Sequence, residues 1–376
     1  MRIELGLRAG IALPLLTTLF FGMLVLFIFN YFFQINLLKE EEKRSIEASV
    51  NTAHILLETS TINYQQMANL VSQMPEVQEA MNKKDRNRLI SLFLPAFNSL
   101  KENFGIAQVQ FHLPPAISFI RFHDLQKYGD DLSSFRKTVM QVATTHRGVK
   151  GLEIGVVGLS LRGVEPIFYR GNYVGSVEFG GGLKSEIDKI KKAINADLGV
   201  VVLKEPLSIW EGLKNVKHVL GEWVSLYFTQ QDPKMFISEA SLKRAVQSKE
   251  KYYTEVVSLT GKEYIVVYSP FKDFSGRIIG YIYIVKERIL SPFKVFTILG
   301  INILVYLAML ILIALLIGYG MNKYVINPII SLTKITDEIS MGKVAQKVEV
   351  RDARGEIAIL AKAIERMRIT MKKLLE

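Results

Sequence analysis

One segment of the chain places an arginine on a strand face that is otherwise largely apolar. Residues 117–123 read Ile-Ser-Phe-Ile-Arg-Phe-His, which is typical of a β-strand, where alternate side chains share a face. Arg121 then shares a face with Ile117, Phe119 and His123. An arginine among apolar neighbours is costly to bury without an anionic partner. Because its planar guanidinium suits a carboxylate, we predict a small-ligand site on this face.

Further charged residues extend this predicted site. Arg136 and Arg162 would add positive charge, whereas a nearby carboxylate would receive a ligand ammonium or neutralise the arginines. We therefore expect an anionic or zwitterionic ligand. The alternative is an internal ion pair of Arg121 with Asp130 or Glu178 that only stabilises the fold. The candidate ligand-binding residues are Arg121, His123, Asp130, Arg136, Arg162 and Glu178, with Glu153 as a further carboxylate.

The sequence offers little for catalysis or metal binding. It has no cysteine, which excludes disulfides, thiolate metal sites and c-type haem attachment. The five histidines are scattered, without the spacing of a metal site. Gly180-Gly181-Gly182 lacks the Gly-Lys-Ser/Thr ending of a phosphate loop, and we interpret it as a flexible joint. We predict no enzymatic activity, no cofactor and no metal.

Two uncharged apolar runs are long enough to cross a membrane. Residues 9–38 and 295–321 each exceed the roughly 20 residues that a bilayer requires. Arg2 and Arg8 precede the first run, and eleven Lys/Arg against seven Asp/Glu follow the second, so both flanks are predicted to be cytoplasmic. We predict a multi-pass protein of the inner (plasma) membrane with residues 1–8 inside and 39–294 outside. The net charge of +11 accompanies no nucleic-acid motif, and we expect no nucleic-acid partner.

The segment between the two spans predicts a tandem α+β fold. A three-four rhythm of apolar residues over 39–73 indicates one long helix, which suits a dimer spine and would measure roughly 50 Å. Two sets of short strands follow, at about 100–182 and about 197–288. In the first set we predict separate strands at 159–162 and 166–170. We also predict a helix over 132–146, with Asp131 as its N-cap.

Two heptad-patterned helices follow the second span. Ile357, Leu360, Ile364, Met367, Met371 and Leu374 recur at alternating steps of three and four, as in a parallel coiled-coil seam. Ile329, Leu332, Thr336 and Ile339 repeat this pattern before Gly342. With Pro328, Glu356 and the connector residues Val344 and Val348, the block 322–376 resembles the HAMP linker, which joins a transmembrane helix to a signalling output. Gly355 departs from the usual acidic residue of that family.

A second resemblance covers roughly residues 39–290. It is carried by Phe111–His123, Gly129–Arg136, Gly151–Glu153, Leu161–Val164 and Gly175–Gly180, and this pattern is similar to a branch of the double Cache sensor domains. The resemblance implies a membrane-distal PAS-like module, a membrane-proximal one and small-ligand binding, usually in the distal module. Bacterial chemoreceptors and sensor kinases carry such domains.

The order of these parts predicts a transmembrane receptor rather than an enzyme. We expect a homodimer in which a ligand in the outer domain shifts the HAMP helices between two packing states, for an output or kinase partner on another chain. The expected relay residues are Pro328, Thr336, Gly342 and Glu356, with Thr336 weakening one packing state of an aliphatic seam. The alternatives are a membrane-anchored scaffold or regulatory subunit that contacts a protein partner, and an anchored enzyme.

Overall fold

A computed structural model describes residues 7–156, 158–230, 232–248 and 250–375. Residues 1–6 of the expected N-terminal segment, with Arg2, and Glu376 lie outside the described residues. The chain divides into two compact units, one of which is Glu40–Ser291. The other unit combines the chain up to Lys39 with the chain from Pro292 onwards.

Three helices precede the first sheet: α1 (Leu7–Ser72), α2 (Pro75–Lys83) and α3 (Arg86–Phe104). The predicted stripe of α1 is buried at Ile46, Val50, Ala53, Leu57, Tyr64 and Val71. Pro75 begins α2, because a proline is tolerated in a first helical turn, where its missing N–H has no intrahelical partner. Asp85 caps α3, since its carboxylate accepts the backbone N–H of Arg88 at 3.0 Å.

The first sheet has five antiparallel strands in the order β2-β1-β5-β4-β3. They are β1 (Gln108–Leu113), β2 (Ile117–Arg121), β3 (Val149–Gly155), β4 (Gly158–Tyr169) and β5 (Asn172–Gly182), with helix α4 (Lys137–Thr145) before β3. One face is apolar: Phe111 and Phe179 pack edge-on against Phe93 of α3, with ring centroids 6.2 and 6.0 Å apart. We call this part of the unit Glu40–Ser291 the distal module.

Helix α5 (Leu183–Ile194) leads into a second sheet of six strands in the order β7-β8-β6-β11-β10-β9. The strands are β6 (Asp197–Leu203), β7 (Val219–Leu220), β8 (Trp223–Leu226), β9 (Tyr253–Leu259), β10 (Lys262–Lys272) and β11 (Ile278–Glu287). Helix α6 (Glu239–Gln247) and 3₁₀ turns at Pro206–Ile209, Glu211–Asn215 and Pro233–Met235 complete what we call the proximal module. Two successive sheet modules were predicted, and both are present.

Several local predictions for the distal module are wrong. The helix predicted over 132–146 is only α4, and Asp131 does not cap it: its carboxylate accepts the Ser133 N–H at 2.9 Å in a turn. The strands predicted at 159–162 and 166–170 are one strand, β4. Pro166 is compatible with β4 because the pairing with β3 stops at Val164, which leaves that edge free.

The glycine run 180–182 is not a flexible joint. Gly180 and Gly181 belong to β5 and pair with β4. A Cβ atom at Gly181 would lie 2.0 Å from the Tyr64 hydroxyl of α1, so only glycine permits this close approach. The run therefore holds the sheet against the long helix.

The second unit contains α7 (Pro292–Met321), a π-helical turn (Asn322–Ile326), α8 (Asn327–Ser340) and α9 (Gly355–Leu375). Two helical stretches, Ala12–Ser72 and Pro292–Ser340, are long and apolar enough to cross a membrane. Only 6% of each apolar window is buried, which is unlike the core helix of a soluble protein. The apolar core of the α8–α9 region centres on Leu332, Ile339 and Val348.

Candidate ligand-binding site

The second face of the distal sheet is polar and buried. Strand alternation places Gln110 and His112 of β1 on this face, opposite Val109 and Phe111. In the ladder of β1 and β5, Gln110 pairs with Glu178 and His112 pairs with Ser176, so all four side chains share the face. All four are at most 1% exposed.

Two arginines and two glutamates form a closed ionic cluster on this face. Arg136 Nε lies 2.9 Å from Oε2 of Glu153, and Arg162 Nε lies 3.3 Å from the same oxygen. Glu178 accepts a hydrogen bond from each of the two guanidinium groups. The Thr138 N–H donates to Glu153 Oε1 at 2.8 Å, which fixes the start of α4 to the cluster. These four charged side chains, at most 4% exposed, are the ionic cluster of the distal module.

Electrostatics keeps the carboxylate of Glu178 ionised. Burial alone would raise its pKa, but the guanidinium groups of Arg136 and Arg162 outweigh burial and hold the pKa at about 2. Burial lowers the pKa of His112 to about 3, which makes its imidazole neutral at physiological pH. Its Nδ1 hydrogen-bonds the Ser176 hydroxyl at 3.0 Å, and its Nε2 points toward Glu178 at 3.9 Å. The cluster is therefore a fixed array of charges beside a neutral ring.

Three buried polar atoms of this face have no hydrogen-bond partner among the described residues. They are His112 Nε2, Thr138 Oγ1 and Arg162 Nε, the last of which has only its 3.3 Å ion-pair contact with Glu153. Most buried polar atoms in folded proteins are hydrogen-bonded, and an unpaired one costs about 1–3 kcal/mol. The cluster thus keeps hydrogen-bonding capacity that a small polar ligand would satisfy.

The structure places three predicted residues outside this cluster: Arg121, Asp130 and His123. Arg121 forms a bidentate pair with Asp130, at 2.6 and 2.7 Å, and donates to the Lys127 carbonyl at 2.9 Å. The sequence analysis gave an internal ion pair of Arg121 with Asp130 or Glu178 as the alternative to ligand binding. The structure contains this ion pair, and the partner is Asp130. His123 lies beyond the end of β2 and is exposed. The structure brings Arg136, Arg162 and Glu178 together.

The expected relay residues lie in the α8–α9 region. Pro328 is buried in the first turn of α8, and Gly342 has φ +87°, a left-handed conformation that ends the helix. Glu356 is exposed in the first turn of α9. Thr336 is exposed, and its hydroxyl donates to the Leu332 carbonyl at 2.7 Å.

A contact in this region that the sequence did not predict holds the connector to α9. Glu365 Oε2 accepts the Val348 N–H at 2.9 Å, and Arg368 Nη1 donates to the Val344 carbonyl at 2.6 Å. Arg368 also donates to Glu365 at 2.8 Å. The ion pair therefore binds the backbone of the connector at two points.

The comparison with protein families supplies the identity of this architecture. The family described as the double sensory domain of two-component sensor kinases, dCache_3, matches residues 39–288, well over half of the chain. The chain belongs to the dCache_3 family. A HAMP domain matches residues 320–373. Both resemblances seen in the sequence are confirmed, and the combination is that of a signalling receptor.

Solved structures similar to this dCache_3 chain include two chemoreceptor ligand-binding domains. That of Campylobacter jejuni Tlp3, in complex with 4-methylisoleucine, is 10% identical, with coverage of 67% of this chain and 92% of that one and a TM-score of 0.43. That of Pseudomonas fluorescens CtaA, in complex with L-isoleucine, is 14% identical, with coverage of 70% and 98% and a TM-score of 0.41. No match is found among curated proteins.

Four polar residues at the buried polar face of the distal sheet were not predicted from the sequence: Gln110, His112, Ser176 and Thr138. A signal for His112 was present, since Gln108, Gln110 and His112 alternate with Val109 and Phe111. The same alternation rule that selected Arg121 on β2 would have selected this polar face on β1. Thr138 carries no such signal, because it reaches the cluster through the fold of the segment before α4.

Proposed function

We propose that the protein is a transmembrane receptor whose distal module binds a small anionic or zwitterionic ligand at the ionic cluster. The observation that carries this proposal is a cluster of buried charges that retains polar atoms without a hydrogen bond at His112, Thr138 and Arg162. A ligand carboxylate would compete with Glu178 for the arginines, and a ligand ammonium would find Glu153 or Glu178. Arg121 and Asp130 would form the wall of the ligand site next to the ionic cluster. His123 would contribute only at the rim of that site.

The test is ligand binding by the full-length protein in lipid nanodiscs. A panel of amino acids, short organic acids, amines and nucleobases is screened for saturable thermal stabilisation. Thr138→Val is the sharpest variant, because it removes an unpaired hydroxyl without changing side-chain shape. We expect unchanged or higher stability without ligand and about five- to tenfold weaker binding of the identified ligand.

Two further variants test whether the ligand binds at the ionic cluster. Arg162→Lys keeps the charge but loses the planar fork, and it should abolish detectable binding. Lys262→Gln, at an exposed lysine of the proximal module that pairs with Glu287, should bind like the unmodified protein. No stabilisation by any compound would favour the scaffold role, and full affinity in both Thr138→Val and Arg162→Lys would place the ligand elsewhere.

We also propose that the receptor acts as a homodimer. Helix α1 carries an uncharged stripe whose residues recur at steps of four and three and are exposed or half-buried: Ala48, Thr52, Ile55, Thr59 and Ile62. Ile55, in the middle of this stripe, is 61% exposed. Leu360, Met367 and Leu374 of α9 recur every seven residues and are at least 50% exposed. Both stripes have the spacing of a parallel coiled-coil seam. Self-association would cover them.

Relay to the cytoplasm is part of the same proposal. Residues 9–38 and 295–321 would span the inner membrane, with the sensor region 39–294 outside and 1–8 and the HAMP region 322–376 inside. Pro328, Gly342 and Glu356 would fix the ends of the HAMP helices, and Thr336 would keep their packing poised. The recipient would be an output or kinase partner in the cytoplasm.

Cysteine cross-linking tests the dimer and the relay, because the chain has no native cysteine. Ile55→Cys and Leu360→Cys should each give a covalent dimer on mild oxidation in membranes, whereas the control Asn63→Cys, next to the α1 stripe, should react far more slowly. Ligand, or Thr336→Leu, should change the cross-linking rate at Leu360→Cys. Equal rates for Ile55→Cys and Asn63→Cys would contradict the dimer, and an unchanged rate at Leu360→Cys would contradict the relay.

A further inference from the structure

A cavity lies between the distal and proximal modules, away from the ionic cluster. Its volume is about 750 Å³, and its walls come from α1, from β3 and β4 of the distal module, and from β10 and the following loop of the proximal module. This volume falls within the range of pockets that bind small molecules. Arg136, Glu153, Arg162 and Glu178 do not line it.

The deep part of this inter-module cavity is apolar. Leu57 of α1, Leu152 of β3, Leu161 of β4 and Phe271 of β10 line it, and all four are buried. Leu152 and Leu161 face each other in the ladder of β3 and β4, on the sheet face opposite to that of the ionic cluster. The cavity can therefore take the apolar body of a ligand.

The rim of the inter-module cavity carries amino groups around a histidine. His54 Nε2 and the Ser269 hydroxyl are 2.7 Å apart. Lys251 Nζ donates to Asn51 Oδ1 at 2.8 Å, one helical turn from His54, and Lys272 has no ion-pair partner among the described residues. Burial lowers the pKa of His54, and the positive charges of Lys251 and Lys272 nearby lower it further.

The carboxylates of the rim do not cancel this potential. Asp273 is occupied by the N–H and hydroxyl of Ser275 and by Arg277. Glu58 lies 3.8 Å from Lys150, so that pair is neutral overall. Of the remaining charged residues of the rim, Glu250 is negative and Lys251 and Lys272 are positive. The rim therefore has an excess positive charge.

We propose that the inter-module cavity is a second ligand site, which takes a small carboxylate with an apolar body. The apolar part would lie against Leu57, Leu152 and Phe271, and the carboxylate would meet Lys251, Lys272 and the His54–Ser269 pair. Such a ligand would touch both modules at once, beside the Phe274 N–H that donates to the Leu152 carbonyl at 2.9 Å. It would also contact β3, the strand that carries Glu153 on its other face. Binding in the cavity would therefore be coupled to the ionic cluster through this strand.

The experiment uses the full chain in lipid nanodiscs and 4-fluorobenzoate as the probe, followed by ¹⁹F NMR line broadening. 4-Fluorobenzamide, of the same shape but uncharged, is the matched probe, and empty nanodiscs correct for partitioning into lipid. We expect saturable broadening by the carboxylate and at least about tenfold weaker binding of the amide. The double variant Lys251→Gln/Lys272→Gln should weaken carboxylate binding by about tenfold or more, while Glu250→Gln should strengthen it.

Two controls make the outcome decisive. Lys262→Gln, an exposed lysine on the same strand β10 as Lys272, should leave the affinity unchanged. Both lysines of the double variant are exposed, so the buried core stays intact. Unchanged carboxylate affinity in the double variant, or equal binding of the amide, would overturn the second site. Binding that is lost in Thr138→Val or Arg162→Lys but kept in the lysine variant would assign the probe to the ionic cluster and would likewise overturn it.

Discussion

The distal and proximal modules share a layout but differ in the side chains that are buried on one face of each sheet. In the distal module this face holds Arg136, Glu153, Arg162 and Glu178. In the proximal module it holds an apolar and aromatic cluster that includes Trp223, Tyr268, Tyr281 and Tyr283. Apart from the tyrosines, the buried polar side chains among the described residues 197–290 are three serines, Ser225, Ser241 and Ser269, and none is charged.

This difference separates two tasks within one architecture. The buried hydroxyls of the aromatic core find partners within the module: Tyr268 donates to Glu255 at 2.9 Å, and Tyr283 lies 3.3 Å from the Ser225 hydroxyl. Burial raises the pKa of both tyrosines, so they stay uncharged. A buried ionic cluster is costly to desolvate and responds to any new charge brought beside it. Under the proposed function, the distal module would detect the ligand and the proximal module would transmit the signal.

The largest predicted effect comes from breaking the ionic cluster. Glu178→Ala leaves two buried guanidinium groups short of a counter-charge and should destabilise the distal module by about 3–5 kcal/mol. Ser225→Ala, at a buried polar residue of the proximal module, should cost only about 1 kcal/mol. Urea unfolding of the full chain, followed by far-UV circular dichroism, measures both. Equal losses would show that the two faces do not differ energetically.

The second effect is a dependence of distal stability on pH. The pKa of His112 is lowered to about 3 in the fold from an ordinary value of 6.5, so the unfolded chain takes up a proton first as the pH falls. Stability is then lost as the pH falls from about 6.5 towards 3, by about 1.4 kcal/mol per pH unit. Between pH 7 and 5 we expect a loss of about 2 kcal/mol.

The control for this pH dependence is His112→Asn, whose amide can replace Nδ1 in the bond to Ser176. This variant should flatten the dependence between pH 7 and 5. Glu178 does not contribute in that window, because its folded pKa of about 2 and its ordinary value of 4.5 both lie below it. Its contribution is present above about 4.5 and is lost as the pH falls through about 2. A slope that is unchanged in His112→Asn would assign the proton uptake to another group.

The sequence predicted the modules better than the site. Local patterns are sufficient for the long helix α1, the two strand sets and the heptads of α9, because each depends on residues close in the chain. The ionic cluster depends on the register of β3, β4 and β5 and on the fold of the segment before α4. Only these bring Arg136, Arg162, Glu153 and Glu178 into contact. Those are non-local pairings that alternation within one strand cannot specify. Arg121 illustrates the limit. Its predicted face was wrong, because a register shift in β2 places Arg121 opposite Gln110, on one face with Ser118 and not with Ile117. Its partner Asp130 was one of two open choices.

The smallest predicted change in stability, and the one that tests the division of tasks most directly, concerns Lys286 in β11 of the proximal module. Its ammonium group donates to the hydroxyls of Ser45 and Ser49 of α1, at 2.7 and 2.9 Å, and burial lowers its pKa. Just beyond β11, Glu42 of α1 accepts the N–H groups of Ile289 and Leu290 at 2.7 and 3.2 Å. These bonds fasten the end of the strand that precedes α7 to the long helix.

Lys286→Met retains the length of the side chain and removes only its hydrogen bonds, so we expect a loss of about 1 kcal/mol in stability. Ligand affinity at the distal module should stay unchanged, whereas the effect of ligand on cross-linking of Leu360→Cys should fall. Lys262→Met, at the exposed lysine of β10, is the matched control and should alter neither quantity. If Lys286→Met instead weakened ligand binding and left the cross-linking response intact, the proximal module would belong to the detecting part of the receptor, because transmission would not depend on this fastening.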